Sequence, residues 1–323
     1  MLQEKDHTIN PAIEDPNFKT AFKGYVIIPL APASSIREEK ISSLKALDVL
    51  DFSIPEDLQA KDIPYHAHLD KKRLEFLKAA LYHPSDKVIN WVIRGGYGSA
   101  RLLDELNKLS PPKTEKIMIG YSDITALNLF LSQKWHWKPI HGAGLTEFLN
   151  DCKDPENLTR ISDIIAKRVK HLSMGPLEPL NTAANSAANL SGTLTGGNLT
   201  VVQTSIGTPW QIETADKILF FEDTGEKGYR IDRALTQLKQ AGLFKDVVAI
   251  VFGHFIPGDE HIDFALQRFA METKIPVFKT DKFGHGYHNY PLIYNAKARI
   301  VQEKSSSPDL AGDKPFSLIM NID

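Results

Sequence analysis

Short apolar segments alternate with amphipathic ones through the first half of the chain. The segments GYVIIPL (24–30), VINWVI (88–93) and KIMI (116–119) have the continuous apolar character of buried strands, and RLEFLKAALYH (73–83) has helical spacing. Strands that alternate with helices indicate right-handed crossover units and a parallel sheet. We therefore predict an α/β chain whose N-terminal domain contains a parallel, flavodoxin-like sheet.

Each of these strands is followed by a turn of small and polar residues, namely APASS, RGGYG and GYSD. In an open parallel sheet, the ends that follow the strands lie on one edge, where binding crevices form. We therefore expect the topology to bring Gly95, Gly96 and Ser122 together, although they are distant in sequence.

The chain has 323 residues, which is more than one core usually organises, so two domains are expected. We predict a polar N-terminal extension with little structure over 1–20, an N-terminal α/β domain over 21–170, a linker over 171–190 and a C-terminal domain over 191–323. The linker falls where the composition shifts to Asn, Ala, Ser and Pro without a helical or strand period. The C-terminal domain is expected to be mixed α/β with several strands.

The composition fits a soluble globular protein, with 42% hydrophobic and 24% charged residues. The 38 basic and 40 acidic residues nearly balance, which gives no electrostatic reason to expect a nucleic-acid or membrane partner. The N-terminus lacks the pattern of a secretory signal, so we expect a cytoplasmic protein. The single cysteine, Cys152, lies in a polar segment and is interpreted as a loop thiol.

Ser122 has two interpretations. It can cap the helix that follows the strand at 116–119, which is the commoner role for a serine in this position. Alternatively, a sharp turn from strand to helix can hold Ser122 out as a nucleophile, with the N–H of Asp123 directed at the group that it attacks. The standard G-x-S-x-G signature is absent.

The segment RGGYG (94–98) also has two interpretations. Two adjacent glycines after a strand allow a backbone to approach a ligand closely, and free N–H groups there can hold an anion or an oxyanion. The alternative is an ordinary turn between a strand and a helix. A dinucleotide site is disfavoured, because the spacing is not G-x-G-x-x-G.

Carboxylates end the apolar strand KILFFE (217–222). Burying such a group is costly unless it is paired or used, so Glu222 is a candidate to orient a histidine. Asp223 and Glu226 could equally be solvated loop charges that pair with Arg230 or Arg233.

The chain offers several candidate histidines. His285 lies between two glycines in a loop and suits general-base chemistry at neutral pH. His288 is three residues further on, but a zinc site needs a third ligand that no nearby motif supplies, so we predict no metal site. His254 follows a strand, and His141 in the segment HGAG is expected to be structural.

Taken together, these segments resemble the LD-carboxypeptidase family, serine peptidases that include muramoyltetrapeptide carboxypeptidase and the microcin C immunity peptidases. The matching segments occur in family order from about Gly24 onward. They are RGGYGSARLLDEL, IGYSDITAL, HGAG, LTGGNLTVVQTSIGTPW, FFEDTGEKGYRIDRALTQL and FGHGYHN.

The resemblance implies a catalytic triad of Ser122, Glu222 and His285 divided between the two domains. It also implies an oxyanion hole built from the backbone N–H groups of Gly96 and Asp123. No metal or organic cofactor is implied, and a homodimer is suggested.

The substrate implied by the resemblance is a recycled murein tetrapeptide, in which diaminopimelate or lysine is linked to a terminal D-alanine. Arg94, Gly95 and Tyr97 are candidate substrate contacts, although Arg94 could instead pair locally. The segment after His285 departs from the family pattern, with Ile293 and Tyr294 where a small residue is expected. The departure bears on the substrate pocket and leaves the triad intact.

Three other functions compete with this one. A relative of the microcin C type would cleave a peptidyl or aminoacyl nucleotide and would need an aromatic residue to stack on the base; the candidates are Trp91, Trp135, Trp137 and Trp210. A non-catalytic peptide-binding protein would not need all three triad residues. A metal hydrolase would use His285 and His288.

Overall fold

The computed structural model describes residues 9–47, 50–149, 153–187, 189–303 and 315–322. Cys152 and the first eight residues of the predicted extension lie outside these ranges. No helix within the described ranges has both the length and the apolar character that crossing a membrane requires.

The strands are listed in chain order: β1 Val26–Leu30, β2 Val88–Val92, β3 Ile117–Ile119, β4 Ile140–His141, β5 His171–Pro179, β6 Asn189–Asn198, β7 Lys217–Asp223, β8 Ala249–Phe255, β9 Val277–Lys279, β10 Leu292–Ile293, β11 Lys297–Gln302 and β12 Phe316–Asn321. The α-helices are α1 Pro16–Ala21, α2 Glu38–Lys45, α3 Asp70–Leu81, α4 Leu103–Leu106, α5 Thr125–Lys134, α6 Glu156–Ile165, α7 Thr182–Asn185, α8 Leu199–Thr204, α9 Gly228–Gln240 and α10 Ile262–Glu272. Short 3₁₀ helices span Pro11–Glu14, Ser99–Leu102, Ser122–Ile124 and Leu145–Phe148.

The first sheet has the order β1-β2-β3-β4-β10. Neighbouring strands from β1 to β4 run parallel, which confirms the parallel sheet predicted from the alternation of strands and helices. The strands follow chain order, whereas flavodoxin has the order 2-1-3-4-5. The likeness to flavodoxin is therefore limited to the layering of helices on a parallel sheet.

The second sheet closes into a barrel with the order β11-β12-β5-β9-β8-β7-β6. The pairs β6–β7, β7–β8 and β8–β9 are parallel, and the remaining pairs of the barrel are antiparallel. This arrangement confirms the mixed α/β character expected of the C-terminal half. The short strand β10 pairs antiparallel with β4, so the C-terminal half also contributes to the first sheet.

The prediction of a linker over 171–190 is wrong in its first part, because β5 is a barrel strand paired with β12 and β9. Leu172, Met174 and Leu177 are buried, while residues between them are more exposed. Glycine and proline in the segment hide this alternation, although alternation is the pattern of a half-buried strand. Helix α7 follows, so the segment is part of the folded core.

The prediction of an unstructured extension is wrong for residues 9–20. A 3₁₀ helix and α1 occupy this segment, and Asp15 caps α1 by accepting a hydrogen bond from the Asn17 N–H. Phe18 is buried and lies against Phe148, with ring centroids 5.8 Å apart. Three buried apolar side chains, Ala12, Ile13 and Phe18, dock a segment whose overall composition is polar.

We expect Phe18→Ala to lower the free energy of unfolding by about 3 kcal/mol, because it removes a buried aromatic ring and leaves a cavity. Denaturation in guanidinium chloride measures the change. Phe264→Ala is the matched control, since Phe264 is 68% exposed, and it should have little effect. Equal effects of the two substitutions would show that the N-terminal helix is not docked.

Candidate active site

Ser122 lies at the carboxyl end of β3, where the backbone turns from strand to helix. Its φ is 64°, in the left-handed region that a non-glycine residue seldom adopts. Ser122 is the first residue of a 3₁₀ helix, for which Tyr121 occupies the cap position. The Ser122 hydroxyl forms no hydrogen bond with any residue that the structure describes, so the serine does not act as a helix cap.

The RGGYG segment contacts this serine directly. A Cβ added at Gly95 would lie 2.8 Å from the Ser122 Cβ and 3.1 Å from its Oγ. Gly96 has a φ of 112°, and a Cβ there would lie 2.2 Å from the Oγ of Ser34. Glycine is therefore required at both positions, and the turn after β2 is packed against the turn after β3, as the topology predicted.

The backbone N–H groups of Gly96 and Asp123 have no partner among the residues that the structure describes. The Asp123 side chain, in contrast, accepts a hydrogen bond from the Ser99 N–H at 2.8 Å, and Ser99 Oγ donates to the Asp123 carbonyl oxygen at 2.7 Å. Burial raises the pKa of the Asp123 carboxyl. This side chain therefore ties the two turns together, while its own N–H stays available.

Glu222 and His285 form a close pair. Glu222 is fully buried near the end of β7, and its Oε2 lies 2.5 Å from the His285 Nδ1. Burial favours the neutral forms of both groups, but their mutual attraction is stronger. It lowers the pKa of Glu222 and raises the pKa of His285. The contact at Nδ1 leaves Nε2 of the imidazole available to the cavity.

Ser122 and His285 line the same cavity, which has a volume of about 290 Å³. The turns after β1, β2, β3 and β4 all contribute to its wall. The lining residues are Ile36, Arg37, Lys40, Val92, Arg94, Gly95, Gly96, Gly120, Tyr121, Ser122, Gly144, Thr146 and His285. A serine and a histidine held by a buried carboxylate thus meet at one crevice.

Comparison with known proteins shows the family of the chain. The model of the LD-carboxypeptidase N-terminal domain matches residues 27–142, and that of the C-terminal domain matches residues 191–300. A putative carboxypeptidase of Rickettsia conorii is 46% identical over 303 residues, which are 94% of this chain and 93% of that protein. The chain belongs to the LD-carboxypeptidase family. It is accordingly a serine carboxypeptidase.

Relatives that are named as murein peptide carboxypeptidases are more distant in sequence. The murein tetrapeptide carboxypeptidase of Pseudomonas aeruginosa is 29% identical over 285 residues, covering 83% of this chain and 91% of that protein. The crystal structure of muramoyltetrapeptide carboxypeptidase from Oxalobacter formigenes has a TM-score of 0.73 at 25% identity and covers 91% of this chain and 98% of that one. The microcin C7 self immunity protein MccF also has a TM-score of 0.73, with 92% and 96% coverage, but at 18% identity this likeness concerns the fold alone.

The interpretation of Asp223 as a solvated loop charge is wrong, because its side chain is buried. Its carboxylate accepts hydrogen bonds from Asn198 Nδ2 at 2.9 Å and from the N–H and hydroxyl of Thr200 at 2.9 and 2.8 Å. Burial and the neighbouring Glu222 raise its pKa to about 6. Asp223 therefore joins β7 to the start of α8, whereas Glu226 pairs with Arg230 at 3.2 Å on the surface.

The other candidate histidines of this LD-carboxypeptidase lie in separate environments. His288 Nδ1 is 2.6 Å from Asp154 Oδ2, so His288 and His285 each face a different carboxylate. Across the part of the chain that the structure describes, no three His, Cys, Asp or Glu side chains are grouped to hold a metal ion. His254 packs under Gly286, with its Nε2 2.7 Å from the Asp281 carbonyl oxygen.

Two contacts of the His285 loop and one buried carboxyl were not predicted from the sequence. The Tyr121 ring lies against the His285 ring, with centroids 4.9 Å apart. Lys153 Nζ donates to the carbonyl oxygens of His285, at 2.6 Å, and of Gly286. Glu147 is buried near the site and accepts a hydrogen bond from Asn157 Nδ2 at 3.2 Å, and burial raises its pKa.

Glu147 was not predicted because the strand that precedes its segment was not recognised in the sequence. Strand β4 has only two residues, too few to recognise as a strand in the sequence. The segment GAGLTEF (142–148) follows β4 in the same way that RGGYG follows β2, and its Gly144 and Thr146 line the cavity. Recognising β4 would have placed Glu147 near the same edge of the sheet.

His141 is fully buried among the rings of Tyr121, Phe220 and Phe283. Neither of its ring nitrogens has a partner among the described residues. Burial lowers the pKa of His141 to about 4. As the pH falls, the imidazole of the unfolded chain is therefore protonated before that of the folded chain. The free energy of unfolding keeps its full contribution from the neutral His141 above pH 6.5 and loses it as the pH falls towards 4.

We expect His141→Leu to remove this pH dependence. Between pH 7 and pH 4 the wild type should lose about 3 kcal/mol more unfolding free energy than the variant, as the difference in pKa requires. Chemical denaturation at several pH values measures the loss. His261→Gln on the exposed surface is the control. Parallel pH profiles for wild type and His141→Leu would contradict the assignment of a buried neutral imidazole.

Proposed function

We propose that this LD-carboxypeptidase releases D-alanine from a murein tetrapeptide by hydrolysing its bond to diaminopimelate or lysine. Ser122 is the nucleophile, His285 the general base and Glu222 the group that orients the histidine. One observation supports this assignment most. Ser122 and His285 line one cavity, and Glu222 contacts the Nδ1 atom of His285. The family resemblance further favours cytoplasmic cell-wall recycling by a homodimer.

The proposed reaction has two halves. His285 Nε2 takes the hydroxyl proton as Ser122 Oγ attacks the carbonyl carbon of the scissile bond. Glu222 fixes the tautomer with Nδ1–H and stabilises the imidazolium that forms. His285 then gives its proton to the leaving amine, the C–N bond breaks, and an acyl-enzyme remains. Water repeats the sequence, releasing the shortened peptide and regenerating the serine.

The developing oxyanion needs donors that are already in place. The N–H groups of Gly96 and Asp123 suit this role because neither is used by another described residue. Each well-placed donor of this kind supplies about 3 kcal/mol of transition-state stabilisation. Gly95, which touches Ser122, allows the backbone of this turn to approach the reacting carbonyl.

The murein substrate is supported by the names of the relatives and by a cationic residue in the cavity. Arg94 lines the cavity and can meet a substrate carboxylate. Tyr97 lies one residue beyond Gly96 and is 52% exposed, with its ring stacked on His66, so it is a candidate contact at the rim.

A nucleotide substrate is less well supported. All four tryptophans are buried, with exposed fractions of 0% for Trp91, 7% for Trp135, 4% for Trp137 and 7% for Trp210. None of them is therefore available to stack on a base. The fold likeness to MccF does not by itself transfer a substrate.

We expect Ser122→Ala to lower the rate of D-alanine release from L-Ala-D-Glu-diaminopimelate-D-Ala by at least about 10⁴-fold, because the nucleophile is lost. Released D-alanine is measured with wild type and variant in parallel. Ser42→Ala, on the exposed side of α2, should retain wild-type activity. Release that survives in Ser122→Ala would overturn the triad. No release by the wild type would overturn the substrate and direct the search to aminoacyl and peptidyl nucleotides.

The acid limb of the pH–rate profile should report His285. Because Glu222 raises the pKa of His285, activity of the wild type should fall as the pH drops through a value above 6.5. Glu222→Gln removes that attraction and leaves burial, which lowers the pKa, so the limb should move to lower pH. The rate should fall by roughly 10³- to 10⁴-fold as the tautomer is lost.

The profile of kcat/KM against pH is compared for wild type, Glu222→Gln and the surface control Glu226→Gln. The control should have the wild-type profile. An acid limb that stays in place in Glu222→Gln, or moves to higher pH, would contradict the proposed pairing.

A further inference from the structure

The wall of the active-site cavity is lined by cationic side chains. Three of its lining residues, Arg37, Lys40 and Arg94, are cations, and the lining set includes no aspartate or glutamate. The whole chain, in contrast, has a net charge of −2. The positive charge is therefore a local property of this cavity.

The two arginines have no carboxylate partner among the described residues. Arg37 directly precedes α2 and is exposed. The Arg94 guanidinium donates from Nη1 to the Ser35 carbonyl oxygen at 3.3 Å. Other exposed arginines of this chain do find carboxylates, such as Arg101 with Asp70 at 2.7 Å. The two cavity arginines thus keep their capacity to bind an anion.

Both arginines line the same cavity as the nucleophile. Arg94 is the neighbour of Gly95, which touches Ser122. The bond from Arg94 to Ser35 brings its guanidinium beside the segment that leads to Arg37. The turns after β1 and β2 therefore present their cations at one place on the edge of the sheet.

The size of the cavity limits which part of a peptide it can hold. A volume of about 290 Å³ is at the lower limit of small-molecule sites, which suits one end of a tetrapeptide and not the whole. The end nearest the scissile bond is the leaving residue. In a carboxypeptidase substrate, that residue carries a free carboxylate one residue beyond the bond that breaks.

We propose that Arg37 and Arg94 form the subsite that binds the terminal carboxylate of the leaving residue. The inference rests on the proposed function and adds the residues that restrict the enzyme to chain ends. A guanidinium binds a carboxylate through two parallel hydrogen bonds, which fixes orientation as well as charge. A peptide that continues past the scissile bond, or ends in an amide, lacks the anion and binds poorly.

The test compares the tetrapeptide with the same peptide ending in D-alanine amide. The wild type should prefer the free acid by about 100-fold in kcat/KM, which is the size of a charge-assisted contact. Arg37→Gln and Arg94→Gln should each reduce this preference at least tenfold. Hydrolysis of the free-acid peptide should slow, while hydrolysis of the peptide amide should not change. Arg37→Lys should recover part of the preference, because it keeps the charge and loses the paired geometry.

Arg299→Gln is the matched control, since Arg299 is an exposed arginine on the barrel strand β11 and should leave the preference intact. An unchanged preference in both Arg37→Gln and Arg94→Gln would overturn the inference while the proposed hydrolysis stands.

A binding measurement separates the two proposals. Calorimetry with Ser122→Ala compares the affinity for the acid and for the amide without turnover. Tighter binding of the acid, reduced by the added Arg37→Gln substitution, supports the subsite even if the wild type hydrolyses neither peptide. Equal affinities, or no binding of either peptide, would overturn it.

Discussion

The buried pair of Glu222 and His285 is the interaction on which the rest of the site depends. A carboxylate with no exposed surface is costly to ionise unless it is paired, and in the described part of the chain Glu222 Oε1 has no hydrogen-bond partner. The contact with His285 therefore supplies most of the compensation. Moving the histidine away would leave a buried charge alone, so this loop is held in place by electrostatics.

The surrounding loop is built to make that contact. Gly284 has a φ of 108°, and a Cβ there would lie 2.8 Å from the Glu222 Cβ, so only glycine allows the loop to approach β7. The Gly284 N–H donates to Asn289 Oδ1 at 3.2 Å, and Lys153 holds the carbonyl oxygens of His285 and Gly286. Since Lys153 precedes α6, segments far apart in the sequence hold the loop that carries the imidazole.

The strands and turns of the first sheet could be predicted because their apolar runs are continuous and their glycines mark the turns. The pairing of Glu222 with His285 required the family resemblance, since sequence order alone does not show which loop meets which strand. Strand β5 was missed because proline and glycine obscure its alternation, and α1 was missed because Phe18 docks an otherwise polar segment. Arg37 gives no signal at all, since an arginine before a helix is common on any surface.

The two sheets supply opposite charges to the proposed reaction. The barrel contributes Glu222 and Asp223 from the end of β7, and the first sheet contributes Arg37 and Arg94 from the turns after β1 and β2. A substrate carboxylate near the arginines would therefore be stabilised by one sheet, and the imidazolium that forms during the reaction by the other. A hydrogen bond connects the two halves of the site. The Asn198 N–H donates to Thr125 Oγ1 at 3.0 Å, and this contact joins the helix after Ser122 to the barrel. The Ser122 backbone, whose left-handed conformation costs about 1–3 kcal/mol, thus lies next to a helix that is hydrogen-bonded to the barrel.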